Sequence, residues 1–250
     1  MRRAFTLVEI LVSISIIALL LALLSPQLRA IRGKGDQVVS LSRISSHLGV
    51  MSVYLADQRD TYPQFADPRA SVSYVYWQDQ AISIRYFEQY ALWNLGLGSG
   101  YVEDPSSIVF VASGQPRGLV TDYYYSCTFV ATPEFWNPAT RTGPQQWVST
   151  RADQVSFTTA KGLLFCIHPY LDSNIVDAAN PGAAVSNGVR SFAPTGFCDG
   201  SARAIKQSEF LTGYLTGEGG GPAWVGAVHL GEIAPTMHTK DGIRGRDVTK

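Results

Sequence analysis

The chain has 250 residues, of which 46% are hydrophobic and only 16% are charged, with 20 basic and 20 acidic side chains. A formal charge of zero gives no electrostatic case for binding nucleic acid, so nucleic acid is not an expected partner. The three cysteines, Cys127, Cys166 and Cys198, allow at most one internal disulfide. We expect them to be small buried apolar residues instead.

The first predicted element is an apolar helix close to the N-terminus. Between Leu7 and Leu24 the only charged residue is Glu9. As a helix, this run covers roughly 27 Å, close to the hydrocarbon thickness of a bilayer. An ordinary secretory signal peptide fits less well, because its apolar core is shorter and ends in a small-x-small cleavage site. The run therefore predicts a single membrane-spanning helix.

Glu9 is the unusual residue of this helix, because an ionised carboxylate in lipid is costly unless it reaches the interface or meets a cation. One interpretation is that Glu9 lies near enough to the end of the run to reach the lipid headgroups. The other is that cleavage after Ala4 exposes the α-amine of Phe5, which then pairs with Glu9 of a neighbouring copy.

The segment Arg3-Ala4-Phe5-Thr6-Leu7-Val8-Glu9-Ile10-Leu11-Val12 resembles the prepilin-type cleavage and methylation signature of type IV pilins and type II secretion pseudopilins. The resemblance implies that a prepilin peptidase cuts between Ala4 and Phe5 and N-methylates Phe5. It also implies that Glu9, together with Leu7 and Val8, guides assembly. Pro26 matches a proline that often kinks or melts the helix in this family. Ala4 departs from the usual Gly, and we expect slower or unaffected processing.

A second helical segment follows the predicted membrane span. The two glycines Gly33 and Gly35 loosen the helix, so we expect a kink near 26–35 that interrupts it. Apolar residues then recur at spacings of three and four, which predicts one buried face until about Asp57: Val38, Leu41, Ile44, Leu48, Met51 and Leu55. The end of this segment, including Tyr62-Pro63, also resembles the pseudopilin pattern.

The remainder, residues 58–215, is predicted to be a head with an α+β fold. Strands are expected at 72–77, 107–112, 123–130 and 162–167, and a short aromatic helix is expected at 82–95. We therefore predict a pilin-like architecture, in which a mainly antiparallel β-sheet head packs on the C-terminal half of the long helix. The domains are a leader at 1–4, a long helix at 5–57 with its membrane span at 5–25 and its amphipathic half at 36–57, the head, and a flexible C-terminal extension at 216–250.

The clearest local signal in the head is an Asp-Gly turn. Asp199-Gly200 supplies the positive φ angles of a tight hairpin between two short strands. The surrounding residues resemble the C-terminal signature of a pilin-like group with large β-rich heads from planctomycete-type bacteria: Phe197, Asp199, Gly200, Ser201 and Arg203. That group usually has a His about ten residues earlier, where this chain has Val189 and Arg190.

Motifs for chemistry are sparse, and we expect no enzyme activity and no cofactor. The oxygen-bearing run Asp172, Asn174 and Asp177 is a weak calcium candidate that lacks a bidentate Glu, and a polar surface loop explains it as well. A zinc site at Cys166, His168 and Cys198 has unsuitable spacing. Tryptophans at 77, 93, 136, 147 and 224 either stack on a ligand or, more often in proteins, fill the core.

Together these features predict a pilin-like structural subunit of a type II secretion pseudopilus or a type IV pilus-like filament. Its expected partners are prepilin peptidase, other pilin subunits, the inner-membrane assembly platform and the membrane itself. The expected location is the inner membrane, with the N-terminus cytoplasmic and the head periplasmic, followed by a filament. The alternatives are an anchored binding module for polysaccharide or secreted cargo, and an anchored hydrolase, which the absent motifs disfavour.

Overall fold

The protein consists of one long helix and a β-rich head. The computed structural model describes residues 7–77, 79–98, 100–114, 121–167, 170–171, 191–206, 209–211 and 239–249. Helix α1 (Leu7–Asp57) contains 51 residues, so it is about 75 Å long. The chain is helical through 26–35, so the helix is not broken there, and the kink predicted near 26–35 stays a prediction. An interior proline removes one backbone hydrogen bond and leaves the turns on both sides bonded.

The C-terminal half of α1 buries one face against the head. The buried residues follow the spacing of three and four that defines one side of a helix: Ser40, Ile44, His47, Leu48 and Met51. Val38 was predicted to belong to this face, but it is 63% exposed. It lies about 120° around the helix from Ile44 at 3.6 residues per turn, which places it beside solvent.

The head contains two antiparallel sheets. A two-stranded sheet is formed by β1 (Ser73–Trp77) and β2 (Gln80–Ile84). The five-stranded sheet contains β3 (Tyr123–Tyr125), β4 (Gly162–Cys166), β5 (Tyr170–Leu171), β6 (Ser191–Phe197) and β7 (Ala202–Lys206). Strand β6 pairs with β4 and β5 along one edge and with β7 along the other, and β3 extends the sheet beyond β4. Helix α1 contacts β4, β5, β6 and β7.

Several predicted elements of the head are shorter than expected or of another type. The expected strand at 107–112 is instead a 3-10 turn at Ile108–Phe110. The N–H of Ala112 donates to the Asp122 carboxylate, and the N–H of Asp122 donates to the carbonyl of Phe110. These bonds take the place of pairing with a strand. The expected strand at 123–130 ends at Tyr125, and a 3-10 helix follows at Cys127–Phe129. The expected helix at 82–95 is divided between β2, a 3-10 helix (Tyr86–Ala91) and a short helix, α2 (Trp93–Gly96).

The C-terminal part of the chain is also more ordered than the sequence predicted. Within the predicted flexible extension at 216–250, residues 239–249 pack into the head, with Ile243 fully buried and Val248 1% exposed. Gly242 has a positive φ and lies so close to Trp136 that a Cβ would be 2.6 Å from the ring. Charged neighbours concealed these apolar contacts in the sequence. Apart from this segment, the α+β, pilin-like architecture is confirmed.

Helix α1 and strand β6 meet at a residue without a side chain. A Cβ on Gly196 would lie 2.6 Å from Cγ2 of Ile44 and 2.9 Å from Cδ1 of Leu48. Both contacts are shorter than carbon atoms tolerate, so only glycine permits this separation of helix and sheet. Gly196 therefore sets the distance between α1 and the head.

His47 is the titratable residue of the α1 face that packs against the head. Its ring stacks on Phe110 at a centroid distance of 4.7 Å and contacts the rings of Trp93 and Tyr123. Its Nε2 lies 3.0 Å from the carbonyl oxygen of Val109. Burial lowers the pKa of His47 to about 4, against a smaller opposing effect of that hydrogen bond. His47 is therefore neutral at physiological pH.

We predict that Gly196→Ala destabilises the head by about 1–3 kcal/mol, because the new methyl group overpacks the contact with Ile44 and Leu48. The measurement is denaturant unfolding of the detergent-solubilised full chain, followed by tryptophan fluorescence. The matched control is Gly49→Ala, on the exposed side of α1 with nothing within 4 Å of its Cβ position. That change should raise stability by up to about 1 kcal/mol. Equal stability of the Gly196→Ala variant and the wild type would contradict the close crossing.

We also predict an acid-sensitive head. Because the pKa of His47 is about 4 in the folded state and 6.5 as its ordinary value, the unfolded state binds more protons between these values. The free energy of unfolding should therefore fall by up to about 3 kcal/mol as the pH falls from about 6.5 to about 4. In His47→Gln this part of the pH dependence should disappear. An unchanged slope in that variant would show that other groups cause it.

Candidate assembly helix and signature hairpin

The N-terminal part of α1 has no partner within the described residues of the head. Leu7–Ser25 is the one helical segment among the described residues that is long and apolar enough to cross a membrane, and none of it is buried. Leu7 and Val8, which the sequence assigned to assembly, are 80% and 66% exposed. Burial of such a surface requires lipid or other protein chains.

Glu9 lies in the first described turn of this exposed helix. Ser13, one turn later, donates a hydrogen bond from its Oγ to the backbone carbonyl of Glu9 at 2.7 Å. In the same way, the hydroxyl of Ser15 donates a hydrogen bond to the backbone carbonyl of Leu11. The polar serines therefore add no unsatisfied donor to the apolar span, and Glu9 contributes its one charge. Ala4 and Phe5, the predicted processing residues, lie outside the described part of the chain, as does the side chain of Pro26.

An exposed uncharged stripe continues from the span along the outer side of α1. Its residues recur at spacings of three, four and seven, and they lie opposite the face that packs on the sheet: Leu28, Ile31, Gly35, Val38, Ser42, Gly49 and Val53. The apolar members are each more than half exposed. The stripe was not predicted from the sequence, because the apolar spacing of three and four there also fits the face that the head buries.

The signature hairpin connects β6 to β7 as the sequence predicted, although its turn differs in detail. Gly200 has a φ of +83°, whereas Asp199 is not among the residues with positive φ. The N–H of Gly200 donates to the carbonyl of Phe197 at 3.0 Å. Asp199 Oδ1 accepts hydrogen bonds from both the backbone N–H and the hydroxyl of Ser201. The turn thus requires glycine at one position and uses the aspartate as a side-chain cap.

The other two signature residues join this hairpin to the core. Phe197 is fully buried beside Ala160, Ile205 and Val248. The Arg203 guanidinium lies 4.0 Å from the centroid of the Phe197 ring and donates a hydrogen bond to the carbonyl of Thr159. The contacts of these five residues hold the hairpin together and attach it to the core of the head.

Most of the other candidate sites lie outside the described residues or in the core. Asp172, Asn174 and Asp177 are outside the described ranges, and no cluster of three metal-ligating side chains occurs within them. Cys127, Cys166 and Cys198 form no disulfide with one another, and burial raises the pKa of the Cys198 thiol to about 12. Trp93 and Trp136 are buried, so neither presents a ring to a ligand.

A groove of about 600 Å³ lies between α1 and the segment 101–110. Val39, His47 and Val50 line its helix side, and Tyr101 and Val109 line the opposite side. The expectation of a buried strand at 107–112 concealed this groove, because it placed Val109 in the core. The groove lies beside the exposed stripe of α1.

Comparisons with known proteins identify the N-terminus alone. Residues 1–25 match the family model described as the prokaryotic N-terminal methylation motif. No curated protein and no solved structure matches the chain. The matched segment contains Ala4, Phe5 and Glu9 and the whole of the exposed span Leu7–Ser25. It supports a pilin-like subunit that prepilin peptidase processes and that associates with the membrane, and the family is a structural one.

Proposed function

We propose that the protein is a structural subunit that assembles through α1 into a type II secretion pseudopilus or a type IV pilus-like filament. The observation that carries the proposal is the division of α1 into two parts. The head covers one face of the C-terminal half, and the N-terminal part, Leu7–Ser25, is wholly exposed. In the membrane lipid covers this part, and in the filament other copies of the helix cover it.

When contacts with other helices replace contacts with lipid, Glu9 is the residue that sets the register between subunits. Moving apolar side chains from lipid to protein contacts changes hydrophobic free energy little, so packing and polar pairs decide the register. After cleavage behind Ala4, the methylated amine of Phe5 is a cation four residues before Glu9 in the sequence. Its pairing with Glu9 of an adjoining subunit neutralises both charges in a low-dielectric core, where an unpaired charge is strongly unfavourable.

The exposed stripe of α1 supports contacts beyond the membrane span. The small residues Gly35, Ser42 and Gly49 lie among the apolar residues of the stripe between Ile31 and Val53, which allows close approach of a second helix. The absence of charge along the stripe from Leu28 to Val53 removes the cost of burying ions there. The proposed orientation places the N-terminus in the cytoplasm and the head in the periplasm, from which the subunit enters the filament.

We predict that Glu9→Ala abolishes incorporation into filaments and leaves membrane insertion intact, because the apolar span is retained while the pairing charge is lost. The measurement is the fraction of subunit in sheared filaments relative to membranes. The matched control is Ser13→Ala, which alters a side chain one turn away and should assemble normally. Intact mass of both variants, showing loss of Met1–Ala4 and gain of a methyl group, excludes a processing defect. Filaments with wild-type subunit content made from Glu9→Ala protein would refute the docking role.

A second candidate, an anchored binding module for polysaccharide, is favoured by the outer face of the β1–β2 hairpin. Tyr74 and Tyr76 are 60% and 71% exposed and lie about 7 Å apart on one face. Their cross-strand partners are the small residues Ser83 and Ala81, so both rings are accessible. Neutral sugar rings stack on such aromatic surfaces without requiring charge.

If the hairpin binds polysaccharide, replacing both tyrosines by alanine should remove most retention of the protein on insoluble cellulose or chitin. The loss is expected because the stacking surface disappears, while the inward-facing Val75 and Ile84 still hold the hairpin on the core. Ser83→Ala, on the same face, is the control and should bind as the wild type does. If the wild-type protein is retained on neither cellulose nor chitin, this candidate is eliminated and the assembly proposal is unaffected.

A further inference from the structure

The segment 239–249 is held in the head by a buried lysine and aspartate. Lys161 and Asp247 have fully buried side chains, and Nζ of Lys161 lies 3.0 Å from Oδ2 and 3.3 Å from Oδ1 of Asp247. Lys161 immediately precedes β4, whereas Asp247 lies 86 residues later. The pair therefore joins two distant parts of the chain in a site without solvent.

The surroundings of the pair are largely apolar. The ring of Phe129 lies 5.6 Å from Nζ of Lys161, and Ala160, Phe197 and Val248 pack nearby. The titratable groups that act on the lysine are Asp247 and the Cys198 thiol. Burial lowers the pKa of Lys161 and raises the pKa of Asp247. Both changes favour the neutral amine and the neutral carboxylic acid over the ion pair.

Thr239 connects the two side chains directly. Lys161 Nζ donates a hydrogen bond to Thr239 Oγ1, and this hydroxyl donates to Oδ1 of Asp247. These two consecutive hydrogen bonds can therefore carry a proton from the Lys161 ammonium group to the Asp247 carboxylate. On the other side, the backbone N–H of Gly162 donates to Oδ2 at 2.7 Å. This N–H lies where it would stabilise negative charge developing on Oδ2.

We propose that Lys161 and Asp247 form an intramolecular amide bond that covalently attaches the C-terminal segment to β4. Amide formation between an amine and a carboxylic acid needs a neutral nucleophile, a polarised carbonyl and removal of water. The burial, the Gly162 N–H and the Thr239 relay supply these requirements at one place. Holding the nitrogen against the carboxyl group also replaces a bimolecular encounter.

The reaction balances without an oxidant or a co-reactant. A proton passes from Nζ through the Thr239 hydroxyl to Oδ1, which leaves an amine and a carboxylic acid. The nitrogen lone pair forms the Nζ–Cγ bond, and the Cγ–Oδ2 π electrons move to Oδ2 beside the Gly162 N–H. A second proton passes from Nζ to Oδ1. The Cγ–Oδ1 bond then breaks, water leaves, and the carbonyl at Oδ2 re-forms.

Tryptic digestion of the purified full-length protein under denaturing conditions tests the proposal. An amide-linked Lys161 is not cleaved, so the peptide Asp247–Lys250 should remain attached to Ala152–Arg190, with a mass one water below the sum of the two. Without the bond, the digest yields three separate peptides, at 152–161, 162–190 and 247–250. Complete recovery of these separate peptides from the wild-type protein would overturn the proposal.

Two variants distinguish the bond from its relay. Lys161→Arg keeps a buried cation but lacks the amine, so Asp247–Lys250 should be released completely. Thr239→Val keeps both reacting groups, and the linked fraction should fall several-fold. The matched control Thr195→Val changes a buried threonine whose hydroxyl, among its described contacts, donates to the carbonyl of Ala193, and the linked fraction should stay unchanged. A full linked fraction in Thr239→Val would remove Thr239 from the mechanism.

Discussion

Gly196 lets α1 approach β6 more closely than any other residue would allow, and the rest of the molecule is arranged around that contact. The contact fixes which face of α1 is covered, because Ile44 and Leu48 must point at the strand. Once this face is buried, the outer face from Leu28 to Val53 is necessarily directed away from the head. The close contact at this glycine therefore determines which surface of the helix the head leaves uncovered.

The two halves of α1 face different solvents, and their compositions follow from this. The C-terminal half buries a narrow stripe and keeps charged residues such as Arg43 at its margin, where the guanidinium donates to the carbonyl of Val111 at 2.5 Å. The N-terminal part is apolar on every side except at its serines, of which Ser13 and Ser15 have their hydroxyls satisfied within the helix, and at Glu9, its one charged residue. A helix that is apolar all round has no preferred rotation in lipid. The charge of Glu9 is therefore the feature able to select a rotation and a depth.

The sequence predicted the long helix, the antiparallel head and the Asp199-Gly200 hairpin because each depends on local signals. Helical spacing identified Ile44, Leu48 and Met51, and glycine identified the turn. It mispredicted 107–112 and 82–95 because 3-10 turns interrupt the apolar runs there. These turns are held by contacts with other parts of the chain: the Asp122 carboxylate accepts a hydrogen bond from the N–H of Ala112, and the Gln89 side chain accepts one from the N–H of Phe65. The predicted processing at Ala4 and Phe5 came from resemblance to a family, and residues 1–25 match that family's model.

The C-terminal segment shows most clearly why part of the fold could not be predicted. Lys161 and Asp247 are charged residues, and charged residues normally lie on the surface of a protein. Only the folded chain brings them together, with Thr239 and the Gly162 N–H satisfying the remaining polar atoms. A buried pair of this kind seldom adds stability over apolar residues of equal size, because desolvation offsets the attraction. Its placement at the junction of β4 and the last segment is better explained by a requirement to fix that junction, which joins residues 86 positions apart in the sequence.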